Sequence, residues 1–91
     1  MVTEKMIIGV EGGLHVKAAT VLCNTAIRYH SRIDLSIGSI TANAKSVLGV
    51  LGACIKAGDT VEFCCDGIDE DEALAGIREV VQNDFRENTE D

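Results

Sequence analysis

The sequence predicts an α+β fold in which helices and an antiparallel sheet form two packed layers. Three observations carry that expectation. Segments of strand alternation and segments of helical periodicity interleave along the chain. Two short strands meet at Gly38-Ser39, a tight-turn signal that places a hairpin in the middle. Tyr29, Phe63 and Phe85 are the only aromatics, so the core must be thin layers of Val, Ile, Leu and Ala.

Taken in order, Met6, Ile8 and Val10 alternate with Ile7 and Gly9 as a first strand, which Gly12-Gly13 ends. A helix follows from Val16 to Tyr29, with Ala19, Leu22, Ala26 and Tyr29 along one stripe. Ile33, Leu35 and Ile37 alternate with Asp34 and Ser36 in a half-buried strand, and Ile40 to Asn43 returns beside it. Ser46 to Ile55 reads as a short helix between Lys45 and Lys56. Gly58 turns the chain into a strand whose inner side is Val61, Phe63 and Cys65. Asp69 with Glu72 resembles a capping box, and Ala73, Leu74, Ile77, Val80 and Val81 repeat at helical spacing behind it. Asp34, Ser36, Thr41, Asn43, Thr60 and Glu62 are expected on the watery face of the sheet. Residues 1–91 are read as one domain, with a tail that frays after about residue 84, although Phe85 could dock on the body.

The balance of charge narrows the function. At −7 overall the chain lacks the clustered Lys and Arg with which proteins grip nucleic-acid phosphates. Most of the acid lies from Asp59 to Asp91, whereas the first half holds Lys17, Arg28, Arg32 and Lys45. The amino-terminal half is therefore the face expected to meet an acidic partner or a phosphoryl group. Cys23, Cys54, Cys64 and Cys65 lack paired metal-ligand spacing and read as buried free thiols in a reducing cytosol. The carboxylates from Asp66 to Glu72 lack the spacing of a calcium loop, and no metal or cofactor is expected. No apolar run approaches the about 20 residues of a membrane helix, so the chain is expected to be cytoplasmic.

Gly12-Gly13-Leu14-His15-Val16-Lys17 places an imidazole where a glycine turn feeds a helix. The first turn of a helix leaves backbone N–H groups without internal acceptors, and with the helix dipole these form a cradle for anions. A neutral imidazole nitrogen is a competent nucleophile, and Lys17 adds a cation beside any phosphoryl oxygens. A histidine that merely starts a helix would explain a lone Gly-x-His equally well. Here Val16, Thr20, Cys23, Asn24 and Ile27 add a second, mixed stripe beside His15, more than a single core face can use. Ser46 is well placed as an N-cap, and Val47, Leu48 and Leu51 cannot all face inward with Val50 and Cys54. His30, between Arg28 and Arg32, reads as a solvated residue with no role.

Gly13 to Thr20 resembles the active-site segment of the HPr phosphocarriers, usually Gly-Leu/Ile-His-Ala-Arg-Pro-Ala. Asn43 to Leu51 is similar to that family's regulatory-serine segment, and Gly67 to Leu74 to the opening of its last helix. The resemblance spans about Lys5 to Val81. It implies an open-faced βαββαβα sandwich with a four-stranded antiparallel sheet and three helices on one face. It further implies a stoichiometric carrier, not an enzyme in its own right, that takes a phosphoryl group on His15 from phosphorylated enzyme I. The group would pass to the IIA domains of sugar transporters. Ser46 would be a regulatory site for a serine kinase, with a transcription regulator as a further partner. Thr20, Asn24, Ile27, Val47, Leu48 and Leu51 would dock the partners. Two departures stand out: Lys17 replaces the family's arginine and Ala18 its proline. They give weight to a rival reading, a regulatory binding module with little phosphotransfer. A small-ligand sensor domain is a third reading, without a motif of its own.

Overall fold

In a computed structural model of the chain, residues 1–86 are described. The elements run β1 (Val2–Ile7), α1 (Val16–Ala26), β2 (Arg32–Ile37), β3 (Ile40–Asn43), α2 (Val47–Gly52), β4 (Thr60–Asp66) and α3 (Glu70–Gln82). The four strands form one antiparallel sheet in the order β1-β4-β2-β3. The predicted element order and the central hairpin are both present.

Register explains the two faces. Phe63 pairs with Glu4 on one side and Leu35 on the other, while Glu62 pairs with Lys5 and Ser36. Because side chains alternate, Val61, Phe63, Cys65, Ile33, Leu35 and Met6 all point inward, and each is buried. Thr3, Lys5, Glu62, Cys64, Asp34 and Ser36 take the opposite face, as do Thr41 and Asn43. The helices cover the inner face. α1 packs on α3, α3 lies over β1 and β4, and α2 sits beside β3 and against α1. Fully burying Phe63 stabilises the sandwich by about 1.5–3 kcal/mol.

The first strand starts earlier than the alternation predicts, at Val2 rather than Met6. Glu4 occupies an inward position and interrupts the apolar pattern. Its carboxylate accepts hydrogen bonds from Arg78 of α3, at 3.0 Å from Nε and 2.7 Å from Nη2. That guanidinium holds the Glu4 carboxyl below the usual range. Ile8 and Val10 lie past the strand, yet Ile8 is fully buried and its amide bonds to Asp59. Helix α1 stops at Ala26, three residues short of Tyr29, and its last amides close in tight turns. Tyr29 instead lies over Gly76 of α3, where a β-carbon would collide with the phenol.

Two further expectations are corrected. Cys54 is exposed, in left-handed backbone at φ 55°, and only Cys65 is fully buried. Burial, then the neighbouring Cys64, push the Cys65 thiol up to about 11, so it stays protonated. Cys23 is half-buried and donates its S–H to the Lys45 carbonyl at 3.0 Å.

The capping box at Asp69 does not form. Asp69 starts α3, but its side chain accepts no bond from the helix's own amides. It reaches across to the turn after α1 instead. Its Oδ2 accepts from the His30 amide at 2.9 Å, and its Oδ1 from the Ser31 amide at 2.9 Å and from the Ser31 hydroxyl. Ser31 is fully buried, so without Asp69 it would lose its polar partner. The Gly67 amide is met by Glu70.

Beyond α3 the chain turns sharply. Asp84 and Phe85 both adopt left-handed backbone, at φ 55° and 58°, which costs an L-residue about 1–2 kcal/mol each. Phe85 is buried, and its amide bonds to the Val80 carbonyl at 2.9 Å, which offsets that cost. Phe85 docks on the body, as the sequence allows, and of the tail expected to fray after about residue 84, residues 87–91 lie outside the described residues.

The Asp69 bonds set an acid limit. Led by the Ser31 hydroxyl and the His30 amide, they hold its carboxyl at about 2 against an ordinary 3.8. A depressed carboxyl stabilises the fold above its unfolded value and loses that contribution as pH falls through the folded one. Asp69→Asn should therefore lower the melting temperature by a constant amount above about pH 4, and the gap to wild type should shrink between about pH 4 and 2. Thermal melts of both proteins across that window check this; a gap independent of pH would contradict it.

Candidate functional site

The loop between β1 and α1 is held from below. Gly13 has φ +73°, and a β-carbon there would press into the Ile55 carbonyl oxygen and stand 2.8 Å from the Lys56 Cα. Glycine is thus required because the loop lies directly on the segment after α2. The absent side chain at Gly13 thus makes room for the 55–57 backbone. The Leu14 amide donates to the Ile55 carbonyl at 3.0 Å, and the Leu14 side chain is buried. With residues 13 and 14 fixed, residue 15 must point out.

His15 is exposed at the N-cap of α1, with extended backbone and no side-chain capping bond. The ring lies over Gly12, whose hypothetical β-carbon would be 3.1 Å from His15 Cδ2 at φ +86°. The His15 carbonyl accepts the Ala19 amide at 2.8 Å, the first bond of the helix. Among the described residues, no backbone or side-chain acceptor meets the Val16, Lys17 and Ala18 amides. These three donors surround the start of the helix without an internal acceptor, at exposed Val16 and Lys17 and at buried Ala18, and such groups attract an anion.

A cleft of about 400 Å³ opens at this point, lined by Val10, His15, Lys17, Ala18, Asp84, Phe85 and Arg86. Lys17 is exposed beside His15, as its position in the sequence implies. Asp84, Phe85 and Arg86 come from the far end of the chain and were not read as site residues. The two consecutive left-handed residues that bring them here carry no sequence signature, since neither is glycine.

The other predicted residues fall on α1 and α2. Val16, Ile27 and Leu48 are 64%, 58% and 81% exposed, unusually high for aliphatic side chains on neighbouring helices. Asn24 is exposed, and Thr20, Val47 and Leu51 are half-buried. Thr20 spends its hydroxyl on the Val16 carbonyl at 2.7 Å. Ser46 is the N-cap of α2, its Oγ accepting the Gly49 amide at 3.0 Å. Within α2 Val50 is buried, Val47 and Leu51 are half-buried and Leu48 is exposed, so the helix turns only one edge inward, and it ends at Gly52, short of Cys54 and Ile55. His30 is exposed, and its contribution to the fold is its backbone amide. No group of three or more metal-binding side chains occurs among the described residues. No helix among them is long and apolar enough to cross a membrane.

The sequence model for the PTS HPr component phosphorylation site matches residues 2–83. The chain belongs to the HPr family of phosphocarriers. It is 33% identical over 87 residues to the phosphocarrier protein HPr of Treponema pallidum, covering 96% of this chain and 99% of that one. HPr from Thermoanaerobacter tengcongensis superimposes with a TM-score of 0.92 at 27% identity, over 98% of this chain and all of that one. Crh of Bacillus subtilis, a catabolite-repression protein solved as a swapped dimer, superimposes with a TM-score of 0.74 at 29% identity, over 96% and 100%. The family's open-faced βαββαβα sandwich is therefore the fold of this chain. Against the family pattern, Lys17 offers a point charge in place of a planar fork, and Ala18 lacks the preset backbone of proline.

Because the His15 loop rests on Ile55 to Ala57, disturbing that contact should move the site. Gly13→Ala should lower the unfolding free energy by about 2–4 kcal/mol, combining left-handed strain with overpacking. Urea denaturation measures the loss, and the His15 ring resonances should shift in the same variant. Unchanged stability and unchanged resonances would contradict the assigned contact.

Proposed function

We propose that this protein accepts a phosphoryl group on His15 from the phosphohistidine of enzyme I and passes it to IIA components of sugar transporters. The single observation that carries the proposal is an exposed imidazole at a helix start whose first three amides lack acceptors. Membership of the HPr family supports the reaction class. In the transfer, a lone pair on a His15 ring nitrogen forms the new N–P bond. The donor's P–N bond breaks and its electron pair returns to the donor imidazole. The second step repeats the exchange with a IIA nucleophile. The amides of Val16, Lys17 and Ala18 favour charge on the phosphoryl oxygens, and the Lys17 ammonium adds to that field. The protein is consumed and regenerated stoichiometrically in the cytoplasm and is not an enzyme in its own right.

The docking face in this proposal surrounds His15. Exposed Val16, Ile27 and Leu48, with Thr20, Asn24, Val47 and Leu51, supply an apolar patch at which a partner excludes water. Phosphorylation of Ser46 by an ATP-dependent kinase would put about two negative charges at the start of α2, beside that patch. An acidic partner would then be repelled.

A second reading is a regulatory binding module with little phosphotransfer. The likeness to Crh and the replacement of the family's arginine by Lys17 favour it.

Incubation with enzyme I and phosphoenolpyruvate separates the two. The carrier reading expects one acid-labile phosphate per chain, lost in His15→Ala. Uptake that persists in His15→Ala would refute the site, and an unmodified wild type would favour the regulatory module. In the same preparation, a serine kinase with ATP should add an acid-stable phosphate that mass mapping locates at Ser46. A phosphate elsewhere would remove Ser46 from the proposal.

A further inference from the structure

We infer that Arg86, delivered by the turn after α3, grips the phosphoryl group on His15 and supplies the guanidinium fork that Lys17 cannot. The inference rests on the phosphocarrier reading of His15 and names a further phosphoryl-binding residue for it.

The placement comes from the backbone. After α3 the chain would run on past the sandwich, but Asp84 and Phe85 both turn left-handed and fold it back. Three bonds fix the turn: Asp84 amide to Val81 carbonyl at 3.1 Å, Phe85 amide to Val80 carbonyl at 2.9 Å, and Arg86 amide to Asn83 carbonyl at 3.3 Å. The buried Phe85 ring pins it to the body. Arg86 is thereby set as a wall of the His15 cleft, with Lys17 and Ala18 as other walls.

Charge in the cleft supports the assignment. Its titratable lining is His15, Lys17, Asp84 and Arg86. Asp84 stands on a ridge shared with the neighbouring cleft, which Gly9 also lines. A β-carbon at Gly9 would come within 3.4 Å of Asp84 Oδ1, so that carboxylate is turned toward Gly9. Asp84 borders both clefts, and against its single carboxylate the His15 side sets two cations and three unpartnered amides. A tetrahedral dianion is matched by a planar guanidinium that offers two parallel N–H donors, whereas an ammonium acts as a single point of charge.

Phosphoramidate, a small phosphoryl donor, tests this without a partner protein. It transfers its PO₃ group to an imidazole nitrogen as the P–N bond to ammonia breaks. Uptake at His15 is followed by NMR, in parallel with uptake from enzyme I and phosphoenolpyruvate. Arg86→Ala should slow uptake from both donors by about tenfold, the scale of one charge-assisted hydrogen bond. Arg86→Lys should recover only part of the loss, and Lys17→Arg in the Arg86→Ala background most of it. Arg86 is exposed, so the fold should be unaffected, which the amide spectrum verifies. Arg86→Ala within about twofold of wild type with phosphoramidate would overturn the inference, the threshold lying well under one such bond. Wild type that reacts with phosphoramidate in an Arg86-dependent way but not with enzyme I would uphold Arg86 and sink the partner assignment. Failure of His15 to react with either donor would sink both.

Discussion

The site depends on one backbone contact, the seating of Gly13-Leu14 on Ile55. The Leu14 amide bonds to the Ile55 carbonyl, the Leu14 side chain fills the core, and Gly13 leaves no room for a side chain. The loop ahead of α1 is therefore anchored to the segment that follows α2, which itself leads into the central strand β4. An exposed side chain on a free loop would sample many positions. One that follows two anchored residues and opens a helix has few, and that limits the entropy lost when a partner arrives.

The same anchoring keeps the helix start open. An Asp, Ser or Asn at position 15 would fold its own oxygen back onto the first amides. His15 makes no such bond, and the amides of Val16 to Ala18 stay available. At the other helix starts the amides are engaged differently. Ser46 caps α2 with its hydroxyl, and α3 opens with Glu70, Asp71 and Glu72, whose charge already answers its dipole. Among the described helices, α1 has neither a side-chain cap nor an acid in its first turn. The first turn of α1 therefore carries no acid of its own, and Asp84 is the one carboxylate among the described residues that line the His15 cleft.

Much of the fold was legible because its period signals were clean. Ile33, Leu35 and Ile37, and Val61, Phe63 and Cys65, alternate without interruption, and the structure places both sets on strands as read. The start of β1 was hidden by Glu4, an inward carboxylate that Arg78 satisfies from 74 residues away. A periodic pattern cannot register such a pairing. Asp69 was misassigned for the same reason: its spacing to Glu72 suggested a local cap, but Ser31 and the His30 amide compete for it across the fold. At the site, His15 and Lys17 were legible from the Gly-Gly turn and the helix that follows it. Asp84 to Arg86 were not. A left-handed pair at two ordinary residues leaves no mark in composition, and the polar residues around Arg86 read as a tail.

In the proposed carrier, the open amides of α1 receive the charge carried on His15. Backbone amide NMR of the His15-phosphorylated protein tests it most directly. On phosphorylation the amide protons of Val16, Lys17 and Ala18 should move strongly downfield, as hydrogen bonds to phosphoryl oxygens form, while those at the start of α3 stay in place. Amides at Val16 to Ala18 that are unmoved in a fully phosphorylated sample would contradict it.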